Sequence, residues 1–193
     1  MEAKHTCVDR FKNNLVTFLD IISEMCDDGR EKGVVNDNFS FLPLLKIFIN
    51  TTFKEYMLEN FITRTHEHWT KIREKDIEYF KTMGLELFDF VGSGKMEKYK
   101  EGNSLLQKLS TSQIENFKKL LETSYQVDGV KYYILDDERQ GDIWKILHSF
   151  VRISLIYIHE KRQYINGAYT VEFFPEISVK SNAQLWNVKS IKF

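Results

Sequence analysis

DERQGDIWKILHSFVRISLIYIHEKR, residues Asp137 to Arg162, decides how the chain is read. Ile143, Leu147, Phe150, Val151, Ser154, Leu155 and Ile158 recur at the three-and-four spacing that places side chains on one helical face. Gln140 follows Asp137 by three residues, a weak form of the capping-box pairing. Acids gather at the start of the stretch and Lys161 and Arg162 close it, the order a helix dipole favours. The stretch reads as a core helix rather than a chemical site. The sequence changes character just beyond it.

Upstream the same period recurs. Phe11, Leu15, Phe18, Leu19, Ile22, Met25 and Cys26 predict a first helix that Asp28-Gly29 stops. Residues 29–38, rich in Gly, Asp and Asn, read as a loop. Ser40 can cap a second helix with Pro43 in its first turn, where a missing N–H is tolerated, and Leu44, Leu45, Phe48, Phe53, Tyr56, Met57 and Phe61 extend it to about residue 60. A third helical region carries Trp69, Ile72, Ile77, Phe80 and Met83 and ends near Gly84, with Leu85, Leu87, Phe88, Phe90 and Val91 able to continue it or to form a buried loop. GSGKMEKYKEG, residues 92–102, is the best internal linker. Ser112 and Glu115 form a capping box before Ile114, Phe117, Leu120, Leu121 and Tyr125, a fourth helix. In VDGVKYYIL, residues 127–135, Asp128-Gly129 lies between β-formers, so a small hairpin and a short connector are both open readings.

Beyond Arg162, QYINGAYTVEFFPEISVKSNAQLWNVKSIKF alternates β-branched and aromatic residues in part, contains Pro175 and shows no helical stripe. It reads as an extended arm. Tyr164, Tyr169, Phe173, Phe174, Leu185, Trp186, Ile191 and Phe193 make it too apolar for a free end. They must bury on this body, in a self-paired dimer, or against another protein. An extended arm ending in aromatics suits strand addition or groove docking.

The 193 residues, 42% hydrophobic and 28% charged, are ordinary for a soluble globular domain. With only 2 Pro and 9 Gly, few residues are available to break helices or build tight turns, which argues against disorder and against an all-β sandwich. Net charge is -1 with the signs interspersed, so no nucleic-acid surface is indicated. Cys7 and Cys26 lack CxxC spacing and suit plain packing in a reducing compartment. No window approaches the roughly 18 apolar residues of a spanning helix. MEAKHTCVDRFKNN has both signs of charge and no apolar h-region, so the expectation is a cytoplasmic chain, not a secreted one.

Each chemical motif has a weaker match than its chemistry requires. VGSGKM, around Gly92, Gly94 and Lys95, lacks the GxxxxGK spacing, the following Ser or Thr and the preceding strand of a phosphate loop. His66 and His68 flank Glu67 with Asp76 downstream, but residues two apart lie on nearly opposite sides of a helix, unlike the pair of a metal-binding HExxH. His148 and His159 share the long helix with Glu138 and Asp142, and no nucleophile at a strand-turn-helix elbow completes a catalytic set. The thiols sit where small apolar fillers are common. Lys95, Lys98, Tyr99 and Lys100, and Lys189 and Lys192 beside Trp186, interleave bases with aromatics but are few and offset by acids. No catalytic, metal or cofactor site is assigned.

FITRTHEHWTKIREKDIEYF (Phe61 to Phe80) and DIWKILHSFVRISLIYIHEKR (Asp142 to Arg162) resemble segments of uncharacterised helical proteins of nucleocytoplasmic large DNA viruses. They share a Trp-x-x-Ile-x-x-x-Asp pattern at Trp69, Ile72 and Asp76 and an Ile-Trp-Lys helix around Trp144. The resemblance brings no functional residue. It implies a viral protein without an assigned enzyme activity, with a virion or assembly component as its setting.

The expectation is therefore a mainly α single domain of about five or six helices over residues 1–162, with an extended C-terminal arm over 163–193 able to add a short strand. The expected role is a non-enzymatic structural or interaction protein that meets a protein partner or a second copy through Tyr164, Tyr169, Phe173, Phe174, Leu185, Trp186 and Phe193. It needs no cofactor and sits in the cytoplasm, or in a virion if viral. The alternative is a regulatory or nucleic-acid-associated helical module using Lys95 to Lys100 and the basic end of the last helix.

Overall fold

The computed structural model describes residues 6–34, 41–51, 54–80, 119–162 and 173–191. The fold is mainly α with one small antiparallel hairpin. Helix α1 spans Cys7–Glu31 and begins with a reciprocal cap: Thr6 Oγ1 accepts from the Asp9 N–H, while the Asp9 carboxylate accepts from the Thr6 N–H. Its buried face carries Phe11, Leu19, Ile22, Met25 and Cys26. Gly29 does not stop it as the Asp-Gly pair suggested; it lies inside the helix, which runs on to Glu31. The stop is Gly33, at φ +67, where the Val34 N–H reaches back to Gly29 O and the Gly33 N–H to Arg30 O. This two-bond closure needs a left-handed residue, which glycine adopts without steric cost.

Helix α2 spans Phe41–Thr51 and α3 Lys54–Thr65, and residues 52 and 53 between them lie outside the described residues. Ser40 lies outside the described residues. Lys46 pairs with Asp20 at 2.7 Å, tying α2 to α1, and Leu42 and Ile49 are buried. Met57, Leu58 and Ile62 bury one face of α3. A 3-10 turn, His66–His68, leads into α4, Trp69–Glu74. The third helical region is thus interrupted: Lys75 is left-handed at φ 55, and Asp76 restarts the helix over residues 77–80 by accepting from the Tyr79 N–H at 3.0 Å. An Asp whose side chain satisfies a first-turn donor favours a new start over continuation.

The linker of residues 92–102, the capping box Ser112/Glu115 and most of the fourth helix lie outside the described residues. Residues 119–122 are helical, and Leu120 is fully buried. Tyr125, expected on that helix, is instead in strand β1, Ser124–Val127, which pairs antiparallel with β2, Val130–Tyr133. The hairpin reading holds and the connector reading does not. Asp128 at φ 51 and Gly129 at φ 79 make the mirror-image turn whose twist suits two strands joined by two residues.

Helix α5, Asp137–Arg162, is the centre of the body. Its cap is Asp136, whose Oδ1 accepts from the Arg139 N–H at 2.8 Å, in place of the Asp137/Gln140 pairing. Arg139 also reaches back to Ile134 O at 2.9 Å and pairs with Asp28 at the end of α1. Trp144, Ile146, Ile153 and Tyr157 are buried beyond the single stripe read from the sequence, because α1, α3, α4 and the C-terminal helix pack around α5 on several sides. Phe11, Phe61 and Phe150 join α1, α3 and α5 in a cluster with ring centroids 4.6 to 5.5 Å apart. Offset and tilted aromatic contacts of this kind add about 0.5–1.5 kcal/mol beyond their area. Ser154, wholly buried, donates to Phe150 O at 2.8 Å, which satisfies its own hydroxyl inside the core.

The described part of the C-terminal segment is not extended. Ser178 caps a short helix α6, Val179–Leu185, and Asn187 at φ 53 closes it with Val188 N–H to Ala183 O and Asn187 N–H to Gln184 O. Asn substitutes for glycine in the same closure that ends α1. Ile177, Val179, Ala183, Trp186, Val188 and Ile191 are buried, with α6 resting on α5. The spacing Val179, Ala183, Trp186 after a serine cap is a helical signal, outweighed in the sequence reading by the β-formers on either side.

Candidate interaction surface

Of the seven arm residues singled out from the sequence, Tyr164, Tyr169 and Phe193 lie outside the described residues. The structure brings three of the other four against the body. Trp186 is 3% exposed, with the His148 ring edge-on to it at 5.3 Å and its carbonyl accepting from Arg152 Nε at 3.2 Å. Its indole Nε1 is buried without a hydrogen-bond partner. Phe173 and Phe174 are half-buried, Phe173 lying edge-on to Tyr157 at 5.8 Å. Arg162 fixes this approach by donating from Nε to Phe173 O at 2.7 Å and from its terminal nitrogen to Phe174 O. Burial lowers the pKa of Arg162 from its ordinary value. Only Leu185 of the four faces solvent.

The hairpin is the other exposed apolar feature. Among the described residues the large hydrophobic side chains most open to solvent are Ile47, Leu185 and four on the hairpin: Val127, Val130, Tyr132 and Tyr133. The register pairs Tyr125 with Tyr132 and Val127 with Val130, and side chains alternate along a strand. One face therefore carries Tyr125, Val127, Val130 and Tyr132, with the two tyrosine rings stacked at 5.6 Å. The opposite face carries Gln126, Lys131 and Tyr133, and the Lys131 ammonium lies 4.8 Å from the Tyr133 ring centre. Two-stranded hairpins are marginal alone in water. This one is moored by Ile134, 1% exposed, by half-buried Tyr125, and by the Lys32 ammonium over the Tyr125 ring at 5.7 Å. β1 is partly covered along its first half, whereas β2 is exposed throughout.

His66, His68, His148 and Cys7 each make a contact within the fold. His66 Nδ1 bonds Ile62 O at 3.1 Å, and His68 Nδ1 bonds the Tyr79 hydroxyl at 2.6 Å. Lys71 lies over the Tyr79 ring and pairs with Asp76 at 2.9 Å; that bond raises the lysine pKa and lowers that of the carboxylate. Among the described residues no group of three or more His, Cys, Asp or Glu is placed to hold a metal ion. His148 Nε2 donates to Ile72 O at 2.9 Å, so Nε2 carries the proton, and burial pulls its pKa below the usual value. Cys7 lies 3.5 Å from Glu160, and burial followed by that carboxylate pushes the thiol up to about 11, away from the thiolate a nucleophile needs. Cys26 is buried, and Cys7 and Cys26 are not joined in a disulfide. VGSGKM lies outside the described residues.

The hairpin is legible in the sequence as a turn between β-formers, not as a surface. The alternation of Tyr125-x-Val127 and Val130-x-Tyr132 across the Asp-Gly turn marks the two strands, not which of their faces stays uncovered. Among the described residues no helix is long and apolar enough to cross a membrane. No family model, no curated protein and no solved structure matches the chain.

Proposed function

We propose that this chain is a non-enzymatic protein–protein interaction module, a structural component that meets its neighbour through the exposed hairpin, with Leu185 of the C-terminal segment as a second contact. The observation that carries the reading is the open face of Val127, Val130 and Tyr132 on a strand pair that the body anchors at one end only. Exposed aromatic and β-branched side chains on a moored scaffold are what partner surfaces use, because their burial supplies energy at little entropic cost. Among the described residues, three that could have supported chemistry are engaged in hydrogen bonds within the fold: His148 to Ile72 O, His68 to Tyr79, and Cys7 beside Glu160. The viral resemblance makes a virion or an assembly intermediate the setting for such a module.

The test is a photoreactive p-benzoylphenylalanine placed at Val130 of the full chain in the cells that make it, with Thr17 on the exposed side of α1 as the control position. The expected product is a protein adduct from position 130, a second copy included, that added salt does not diminish. Absence of any adduct, or a nucleic-acid adduct lost steeply with salt as counterion release requires, would sink the proposal.

A further inference from the structure

We infer that β2 is a self-pairing edge: two copies of the chain join β2 to β2 antiparallel about a two-fold axis at Tyr132, making one four-stranded sheet. The inference rests on the interaction reading above and names the partner. It starts from the backbone. Ile134 N–H donates to Thr123 O at 3.0 Å, so that pair is hydrogen-bonded. Bonded and non-bonded pairs alternate along an antiparallel ladder, which makes Tyr132/Tyr125 and Val130/Val127 bonded pairs as well. The N–H and C=O groups of Lys131 and Tyr133 therefore point away from β1, along an edge whose residues are all exposed. Of the devices that blunt an edge, β2 has its short length and one lysine, but it has no proline, and its pairing with β1 is continuous without a bulge. Its one charge, Lys131, lies over the Tyr133 ring.

The side chains select the register. A two-fold axis normal to the sheet keeps each face continuous, so Lys131 must meet a residue of its own face in the second copy. Centring the pair on Lys131 opposes two ammonium groups, which destabilises an antiparallel pair. Centring on Tyr133 drives the second strand past Ile134 into the Asp136 cap of α5. Centring on Tyr132 avoids both. It sets each Lys131 opposite Tyr133 of the second copy, repeating the cation–ring contact already made within one chain, and lets the outward groups of Lys131 and Tyr133 bond reciprocally. The apolar face then carries an unbroken row of four tyrosines: Tyr125 and Tyr132 of one copy followed by Tyr132 and Tyr125 of the other. A foreign strand would need to bring this pattern; a second copy has it by symmetry, and an isologous contact closes at two copies. An edge four residues long falls well short of the roughly 800 Å² per partner of a stable interface, so the dimer is weak and reversible.

Sedimentation equilibrium of the full chain from low micromolar to near-millimolar concentration tests this. The expected mass rises from 23.0 kDa toward twice that value, and Tyr132→Lys, which sets like charges on the axis, weakens association at least tenfold with an unchanged circular dichroism spectrum. In a Cys7→Ser background, Tyr132→Cys is expected to form an intermolecular disulfide under mild oxidation, since a non-bonded antiparallel pair has Cα atoms about 4.5 Å apart. Lys131→Cys, off the axis, is expected to form far less. A mass of 23.0 kDa at every concentration, or a dimer indifferent to Tyr132→Lys, overturns the inference. If position 130 still crosslinks to a different protein, the interaction reading survives that failure; if it crosslinks to nothing, both are lost.

Discussion

Replacing Trp186 with alanine isolates the force that keeps the C-terminal segment on the body. Trp186 is 3% exposed, so nearly the whole side chain is withdrawn from water, against the edge of His148 and beside α5. A buried tryptophan removes about 150–250 Å² from solvent, which at about 25 cal/mol per Å² corresponds to roughly 4–6 kcal/mol as an upper bound. Measured aromatic-to-alanine changes in cores cost about 3–5 kcal/mol, and that is the expected loss here. Trp186→Phe separates area from polarity. It gives up part of the ring but also removes an indole N–H that is buried without a partner, a group whose desolvation costs about 1–3 kcal/mol, so its net effect is expected to lie within about 1 kcal/mol of zero. Urea unfolding followed by circular dichroism measures both variants, and hydrogen exchange locates the loss. Amides of α6, Val179–Leu185, are expected to lose protection in Trp186→Ala before those of α1 do. If Trp186→Ala costs less than about 1 kcal/mol and α6 exchanges as in the parent chain, burial of this side chain does not hold the segment, and the reasoning fails.

Two further outcomes follow from buried titratable groups. His148 has a folded pKa held below its ordinary 6.5, first by burial and further by Lys75 and Arg152. The unfolded chain therefore binds the proton first as pH falls; stability is full above about pH 6.5 and declines below it, and a proton NMR titration should place the His148 midpoint under 6.5. A midpoint above 6.5 would contradict the neutral, donating imidazole at Ile72 O. Tyr157, 4% exposed, donates to Glu59 Oε1 at 2.6 Å, and burial together with that carboxylate raises its pKa far above 10. Tyr157→Phe should cost about 1–2 kcal/mol, near the lower end for a bond to a charged group because Glu59 is half-exposed and can rehydrate. It should also flatten the loss of stability above pH 10, where the unfolded chain alone ionises its tyrosine; a variant as stable as the parent with the same alkaline profile would refute the assigned hydrogen bond.

Apolar period and turn chemistry determined much by themselves. The helical character, the long helix of residues 137–162, and a turn at Asp128-Gly129 were all legible, because each rests on forces acting between residues near one another in the chain: side chains recurring on one face, and a glycine able to take φ +79. The tertiary structure decided what local signals leave degenerate. Gly29 lies inside α1 and Gly33 ends it, since burial at the former and the closing pair of hydrogen bonds at the latter outweigh propensity. Trp144, Ile146, Ile153 and Tyr157 showed only as residues off a stripe until neighbours on several sides of α5 covered them. Residues 173–191 show the limit most clearly: their composition required burial somewhere, and three-dimensional packing set Trp186 and its neighbours against α5 and turned Val179 to Leu185 into a helix. The exposed hairpin is the complement of that choice, for a surface is whatever the packed core leaves uncovered, and no short-range pattern in the sequence records which apolar residues the core will not reach.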